Sequence, residues 1–347
     1  VVVDGVDELA DLEAPLGLAW LPPSTPANVR LVVSTTPEFA GTARETEGWP
    51  RLTLDPLEPD EQRRLVVDRL ARFGKRLAST HIERLVGSGT FTNPLYATTL
   101  LDELRVEADH AHLDETIDHY LRAGDVGELL DLVLARLEGD YDRDRPGLVS
   151  DALTLIGASR RGLEEDELLD LLGVDGERLA RALWAPLFHA APNIFANRSG
   201  RIGFAQQQAR IAVDRRYLPT TLHRRDAHRT LAAHFLSRPL DARTLEELPW
   251  QYAQAERWDE LAHLLRRHDV LVALWLDDPA SVLRYWSDIE TAVPGRLLDT
   301  YRHVLDDQVW ESDAIAVVSE LFRRAGHVDR GLALRTTLTD RALASGD

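Results

Sequence analysis

The sequence predicts a mainly α-helical chain that opens on a short α/β segment and closes in an array of helical hairpins. Three observations carry this expectation. The apolar runs Val1-Val2-Val3 and 29–34 (VRLVVS) are short and unbroken, as in strands of a parallel sheet buried on both faces. From Leu57 onward the apolar period becomes helical, and Val126, Leu129, Leu130, Val133, Leu134 and Leu137 form an i, i+3, i+4, i+7 stripe. After about residue 220 every segment is amphipathic and the loops are short, which favours stacked hairpins over a single bundle.

The elements follow in order. A third strand is expected over 51–54 (RLTL), after Gly48-Trp49-Pro50. Glu58-Pro59-Asp60-Glu61 is a helix start, with proline in the first turn and acids at the positive dipole end. Helices are expected over 59–73, 79–87 and 94–106, the last opening at Asn93-Pro94, and then over 147–158, 164–172 and 176–186. A hairpin pairs 193–196 with 201–205 around the turn-rich Asn197-Arg198-Ser199-Gly200, and a helix follows over 205–217. Three helices, a hairpin and a further helix are the layout of a winged-helix domain. Trp258, Leu261, Leu264 and Leu265 make one stripe of the terminal array; Ile315, Val318, Leu321 and Phe322 make another.

Composition limits the function classes. Hydrophobic residues make up 44% and charged residues 28% of 347, which suits packed cores and argues against disorder. Forty Lys+Arg against 58 Asp+Glu leave −18, a balance that disfavours a general phosphate-backbone binder. No apolar run reaches membrane-spanning length, no signal peptide opens the chain, and a cytoplasmic location is the default expectation. The absence of cysteine excludes disulfides and thiolate chemistry. Methionine is absent even at position 1 and the chain starts inside an apolar run, so it reads as part of a larger protein.

Val1-Val2-Val3-Asp4-Gly5-Val6-Asp7-Glu8-Leu9 is the most informative stretch, an apolar strand that ends in carboxylates. At the C-terminal edge of a nucleotide-binding sheet, Asp4 would hold the water shell of Mg²⁺, and Asp7 or Glu8 would orient or deprotonate the attacking water. This stretch resembles the Walker B motif of the STAND class of P-loop NTPases, the NACHT-like and apoptotic-ATPase-like signalling switches. VRLVVSTTPE is similar to their sensor-1 strand, which would place Ser34, Thr35 or Thr36 near the γ-phosphate. Thr53-Leu54-Asp55-Pro56-Leu57 is similar to the entry into their helical lid, and Thr92-Asn93-Pro94-Leu95-Tyr96 to the motif whose proline, here Pro94, meets the adenine. The segment 160–168 (RRGLEEDEL) resembles part of the family's winged-helix domain. Glu246-Glu247-Leu248-Pro249-Trp250, continuing to Trp258-Asp259-Glu260-Leu261, resembles the start of its helical, TPR-like repeats.

The resemblance implies a mainly α chain with four parts. These are the remnant of an α/β P-loop NTPase core (1–56), a helical lid (57–112), a winged-helix domain (113–219) and an α-solenoid-like repeat array (220–347). It implies ATP/ADP and Mg²⁺ as cofactors of the intact protein. Protein partners or a ligand would bind the repeats, and activation would bring self-oligomerisation. The family pattern is broken at three places. No GxxxxGK[ST] loop is present, and the single lysine, Lys75, lies in the lid, so this chain by itself is not expected to act as an ATPase. Thr36 stands where sensor 1 often carries arginine. Gln206 stands where a winged-helix histidine toward the ADP phosphate is expected, unless the alignment is off by one.

Other signals point to structure. His110 and His112 on a helix would point about 200° apart, so with His119 they do not form a chelate. Asp140, Asp142 and Asp144 imitate a calcium loop, but Arg145 stands where glycine is needed. Arg178 and Arg181, on the helix expected over 176–187, are thin support for DNA binding. The basic stretch Arg210, Arg215, Arg216, Arg224, Arg225 and Arg229 is read as a solvated face or an intramolecular contact to acidic helices. Five of eight tryptophans follow residue 249; Trp250 and Trp258 are expected on one helical face, as packing or as a peptide-binding surface. Two further functions stand beside the nucleotide switch: a non-enzymatic helical scaffold for protein interaction, and a winged-helix DNA-binding regulator.

Overall fold

A computed structural model describes residues 1–6, 21–22, 24–37, 48–106, 112–306 and 310–345. The chain is mainly α, with 18 α-helices and five short strands among the described residues. It divides into two compact units, one built on residues 1–105 and the other on residues 115–347.

In the first unit β1 (Val2–Val3) pairs in parallel with β2 (Val32–Val33), in the register Val2 to Val32 and Val3 to Val33. Val3 and Val33 pack on a small cluster around Val6 and Leu21, with Leu31 and Trp49 at its rim. The opposite face is open: Val2 is 72% and Val32 57% exposed, so this pair is covered on one side and not on both. The strand expected over 51–54 is absent. Leu52 and Leu54 are each 87% exposed, and without a neighbouring strand their alternation has nothing to pack against.

The helices of this unit start where the local chemistry allows. In α1 (Pro59–Ala71) proline occupies the first turn, and Glu58 and Glu61 form a reciprocal capping box. Its last turn closes through the left-handed Gly74, with Lys75 N donating to Leu70 O at 3.0 Å. After α2 (Ser79–Val86) and a 3₁₀ turn over Gly89–Thr92, α3 (Pro94–Val106) is capped by Asn93, whose Oδ1 accepts from Leu95 N and Tyr96 N. Phe91, Tyr96, Ala97, Leu100 and Leu101 are buried, and they form the helical core of this unit with Val66, Leu70 and Leu85.

The second unit begins with α4 (Leu113–Leu121, its first two residues belonging to the first unit) and α5 (Val126–Tyr141). The expected stripe Leu129, Leu130, Val133, Leu134 and Leu137 is buried on α5, and Asp125 caps its start. Next come α6 (Leu148–Ala158), β3 (Leu163–Glu164), α7 (Glu165–Leu171) and α8 (Arg181–Ala190). The strands β4 (Phe195–Arg198) and β5 (Arg201–Phe204) and the helix α9 (Gln207–Tyr217) complete this region. The antiparallel sheet has the order β3–β5–β4. Its hairpin is tighter than expected: Arg198 pairs with Arg201, and only Ser199 and Gly200, both at positive φ, form the turn.

The helix expected over 176–186 starts later, at Arg181. Asp175-Gly176, both at positive φ, instead make a two-residue turn closed by reciprocal hydrogen bonds between Val174 and Glu177, each 3.0 Å. Asp-Gly is a strong signal for this turn type, and here it overrides the helical period.

The array then runs through α10 (Thr221–Leu236), α11 (Ala242–Gln254), α12 (Trp258–Leu265), α13 (His268–Asp277) and α14 (Pro279–Ala292). It ends with α15 (Arg296–Thr300), α16 (Arg302–Asp306), α17 (Ser312–Arg324) and α18 (Val328–Ser345). Short connections make hairpins of α10 with α11 and of α17 with α18. Gly331 allows the second to close: a Cβ there would lie 2.8 Å from Ser319 O, while Ser319 Oγ donates to Gly331 O at 2.8 Å. Two turns repeat one design. After α11, Arg257 N donates to Tyr252 O at 2.9 Å; after α17, His327 N donates to Phe322 O at 2.8 Å, and Glu256 and Gly326 hold the same left-handed position. Trp250 and Trp258 therefore lie on two helices, α11 and α12, and not on one face.

Candidate functional site

The strand edge of the first unit brings two of the expected residues together. Asp4 follows β1 and Ser34 follows β2, and Ser34 Oγ donates to Asp4 Oδ1. Gly5, in the left-handed region, turns its N–H onto Ser34 Oγ at 2.9 Å, and Val6 N donates to Ser34 O at 3.1 Å. The serine hydroxyl is thus fixed by an amide on one side and aims its proton at the carboxylate on the other. Thr35 Oγ1 beside it is buried without a hydrogen-bond partner, while Thr36 is exposed. Asp7 and Glu8 lie outside the described residues.

Asp4 with Ser34 is a carboxylate and hydroxyl of the kind that holds the water shell of Mg²⁺. Among the described residues no group of three or more His, Asp or Glu converges as a direct metal cage. Pro94 is exposed at the first turn of α3. Gln206 belongs to the second unit, where it precedes α9 and makes no side-chain cap to it. Lys75 closes the end of α1 through its backbone, a role unlike that of a phosphate-loop lysine.

The second unit contains a buried ionic hub that sequence reasoning missed. Arg243 on α11 donates through Nε and Nη2 to the two oxygens of Glu167 on α7, at 3.0 and 2.8 Å. The same guanidinium reaches Gly162 O at 2.9 Å, and Glu246 and Glu247 each at 3.1 Å. Glu247 also accepts from Arg160 N at 3.2 Å, and from Gln251 Nε2 at 2.8 Å. Arg201 on β5 holds Glu246 at 2.8 Å, and Arg160 reaches Ser281 Oγ on α14 at 3.1 Å. Glu167 and Glu247 have fully buried side chains, and the Arg243 guanidinium lies 5.2 Å from the Phe235 ring.

Electrostatics and burial oppose each other here, and the ion pairs win. Burial pushes the Glu167 carboxyl up, but Arg243, the Glu164 amide and nearby Arg238 hold it below the usual carboxylate range. Glu246 is lowered against burial in the same way, by Arg201 and then Arg243. Burial works against the Arg243 cation, and Glu167, Glu247 and Glu246 reverse that and keep it charged. The hub joins 160–168 to 246–250, the two segments singled out earlier for separate resemblances. A local signal existed, since Arg243, Glu246 and Glu247 are spaced i, i+3 and i+4; their burial and their distant partners were not visible.

Much of the basic sequence is paired with carboxylates of the same unit. Arg178 pairs with Asp166 and Asp170, and Arg181 with Glu165 and Asp166, at the surface of the unit. Arg215 pairs with Asp131, Arg216 with Glu138, Arg225 with Glu256 and Arg229 with Asp226, the intramolecular outcome for most of that stretch. Asp140 pairs with Arg136, and Asp142 Oδ1 accepts from Val149 N, so these carboxylates serve helix ends. No helix among the described residues is long and apolar enough to cross a membrane.

No family model matches the chain, and no solved structure matches it. It is similar to a TPR repeat-containing protein of Dictyostelium discoideum, 31% identical over 84% of this chain and 18% of that protein. Human nephrocystin-3 is 24% identical over 96% of this chain and 26% of its own length. Tetratricopeptide repeat protein 41 of Rattus norvegicus is 25% identical over 75% of this chain and 23% of its own length. Two of the three are named for a helical-hairpin repeat of the general kind that α10 to α18 build. The chain spans about a quarter or less of the length of these curated relatives.

Proposed function

We propose that the chain is a helical scaffold for protein interaction within a larger protein. The carrying observation is the run of packed helices α10 to α18 in a chain similar to tetratricopeptide-repeat proteins. Repeats of this kind stack into an extended surface, and surface of that shape suits a partner chain. Crosslinking of the intact protein in its native complexes tests the reading. Crosslinks to partners should concentrate within 220–345, and deletion of that segment should release those partners. An unchanged set of partners after the deletion would sink the proposal.

A second reading, the nucleotide-controlled STAND switch, is favoured by the Asp4–Ser34 pair at the C-terminal edge of parallel strands. In it, residues 113–219 form the winged-helix domain, a reading supported by the helix–strand–helix–helix–strand–strand–helix order from α6 to α9. Asp4 would serve Mg²⁺, Asp7 or Glu8 the water, and Ser34, Thr35 or Thr36 the γ-phosphate. Pro94 would meet the adenine and Gln206 a phosphate of ATP or ADP. Nucleotide exchange, with ligand on the repeats, would release the parts for self-oligomerisation. Asp4→Ala in the intact protein should then abolish Mg²⁺-dependent binding of a fluorescent ATP analogue; binding that survives the substitution excludes this reading.

A further inference from the structure

The corner of the first unit where α1 ends collects positive charge. Its sequence, Arg72-Phe73-Gly74-Lys75-Arg76, meets the last turn of α3, where the Arg105 guanidinium lies 4.6 Å from the centre of the Phe73 ring. The turn is tight. Phe73 N donates to Leu70 O, Gly74 N to Ala71 O and Lys75 N to Leu70 O, each at 3.0 Å, and Gly74 is left-handed. Arg72 and Arg76 are thus four steps apart on a folded loop, closer than the about 14 Å of an extended chain.

Three other arginines of this unit are matched. Arg63 pairs with Glu83, Arg69 with both oxygens of the buried Asp102, and Arg84 with Asp114. Arg72, Arg76 and Arg105 enter no ion pair among the described residues. Asp68 stands one turn before Arg72 and does not pair with it. In a chain of net charge −18, these three cations surround a ring that is 49% exposed.

Helix ends explain where two of the cations lie. Arg72 is the C-cap of α1 and Arg105 falls in the last turn of α3, where the negative end of each dipole favours a cation. That preference places the charge and supplies no acceptor for the guanidinium N–H groups; Arg105 Nε is buried without a hydrogen-bond partner. Phe73 under the Arg105 guanidinium and Val106 next to it in the chain, 40% exposed, add apolar surface.

We infer that this corner docks an acidic segment of a partner protein, one in which carboxylates flank an apolar or aromatic residue. The carboxylates meet Arg72, Arg76 and Arg105, whose forked donors match them, and the apolar residue packs on Phe73 and Val106. The three cations need not converge on one small molecule. Carboxylates two residues apart on an extended segment lie about 7 Å from each other, so about five residues span the corner. The net charge of −18 repels a long polyanion such as nucleic acid. A short segment responds chiefly to charges within a Debye length, about 8 Å at physiological salt. The assignment concerns the first unit and does not rest on the reading of the repeat array.

Fluorescence anisotropy of the full chain tests this with a labelled acidic peptide (EDFEDLED), its amide counterpart (QNFQNLQN) and a thymidine oligonucleotide of the same charge as the acidic peptide. The acidic peptide should bind, with an affinity that falls at least fivefold between about 50 and 200 mM salt. The other two probes should bind at least tenfold more weakly. Arg72→Gln combined with Arg76→Gln, and Arg105→Gln by itself, should each weaken the acidic peptide at least fivefold. Arg72 and Arg76 are exposed, and their substitution is expected to leave the melting temperature unchanged. Arg330→Gln, at an exposed arginine of α18, should leave the affinity as it is. Oligonucleotide binding as tight as that of the acidic peptide would make this a nucleic-acid face and overturn the assignment. So would an acidic peptide that does not bind, or a loss in Arg330→Gln equal to that of the double variant.

Discussion

Asp4 in the first unit and Glu167 in the second are both carboxylates beside short strands, yet their settings are opposite. Asp4 is exposed and held by one serine hydroxyl. Glu167 is fully buried and receives two hydrogen bonds from one guanidinium. A carboxylate left in water keeps its capacity to hold a hydrated ion, because solvation remains its alternative. A buried one has no alternative to its partner, so its role is to fix which segments meet. The hub therefore reads as architecture that seats α11 against the sheet, and the strand edge as an exposed pair that carries little of the packing.

Breaking the hub should give the largest effect. Arg243→Met leaves Glu167 and Glu247 buried without their main cation, and a loss of about 3–5 kcal/mol is expected in urea unfolding of the chain. Adding Glu167→Leu should recover part of it, since an apolar pair avoids the buried charge. A loss under about 1 kcal/mol for Arg243→Met would place the hub with ordinary surface pairs.

Steric closure comes next. Gly331→Ala forces a Cβ against Ser319 O, and about 1–3 kcal/mol should be lost, with earlier amide exchange in α17 and α18. Wild-type exchange rates in the variant would show that the two helices can slide apart without cost.

Acid should weaken the second unit in two stages. His228 and His234 are lowered from 6.5, chiefly by burial, so their contribution is full above 6.5 and falls as the pH drops through their folded values. Glu167 and Glu246 are lowered from 4.5, so theirs is full above 4.5 and is lost below it. A melting temperature that starts to fall below pH 6.5 and steepens below 4.5 is expected. A flat profile down to pH 4 would contradict the lowering of these histidines by burial.

The smallest change in stability belongs to the strand edge. Ser34→Ala at an exposed pair should alter unfolding by no more than about 0.5 kcal/mol. A much larger loss would show Asp4–Ser34 to be structural like the hub, and would remove the contrast between the two carboxylates.

Much of the fold was legible because its signals are local. Asn93-Pro94 placed the start of α3 at the observed residue, and the stripe on α5 was buried as its spacing required. Val1-Val2-Val3 and 29–34 marked the two parallel strands, and their pairing brought Asp4 to Ser34. The strand over 51–54 failed because alternation alone supplies no partner, and β3 went unseen because two residues have no period. Its position is set by Ile202 and Arg201 across the sheet. The helix over 176–186 failed because a turn dipeptide outweighed periodicity.

The amino-acid sequence by itself determined the helical class, most helix starts and the carboxylate at the end of the first strand. Each depends on neighbours within a few residues, through capping, dihedral preference and the 3.6-residue period. Only the tertiary structure decided that Arg160, Glu167 and Arg201 converge on Arg243, Glu246 and Glu247, and that Arg105 stacks on Phe73. Those partners lie on different elements, and the charges of the hub became matched and buried only when the helices packed.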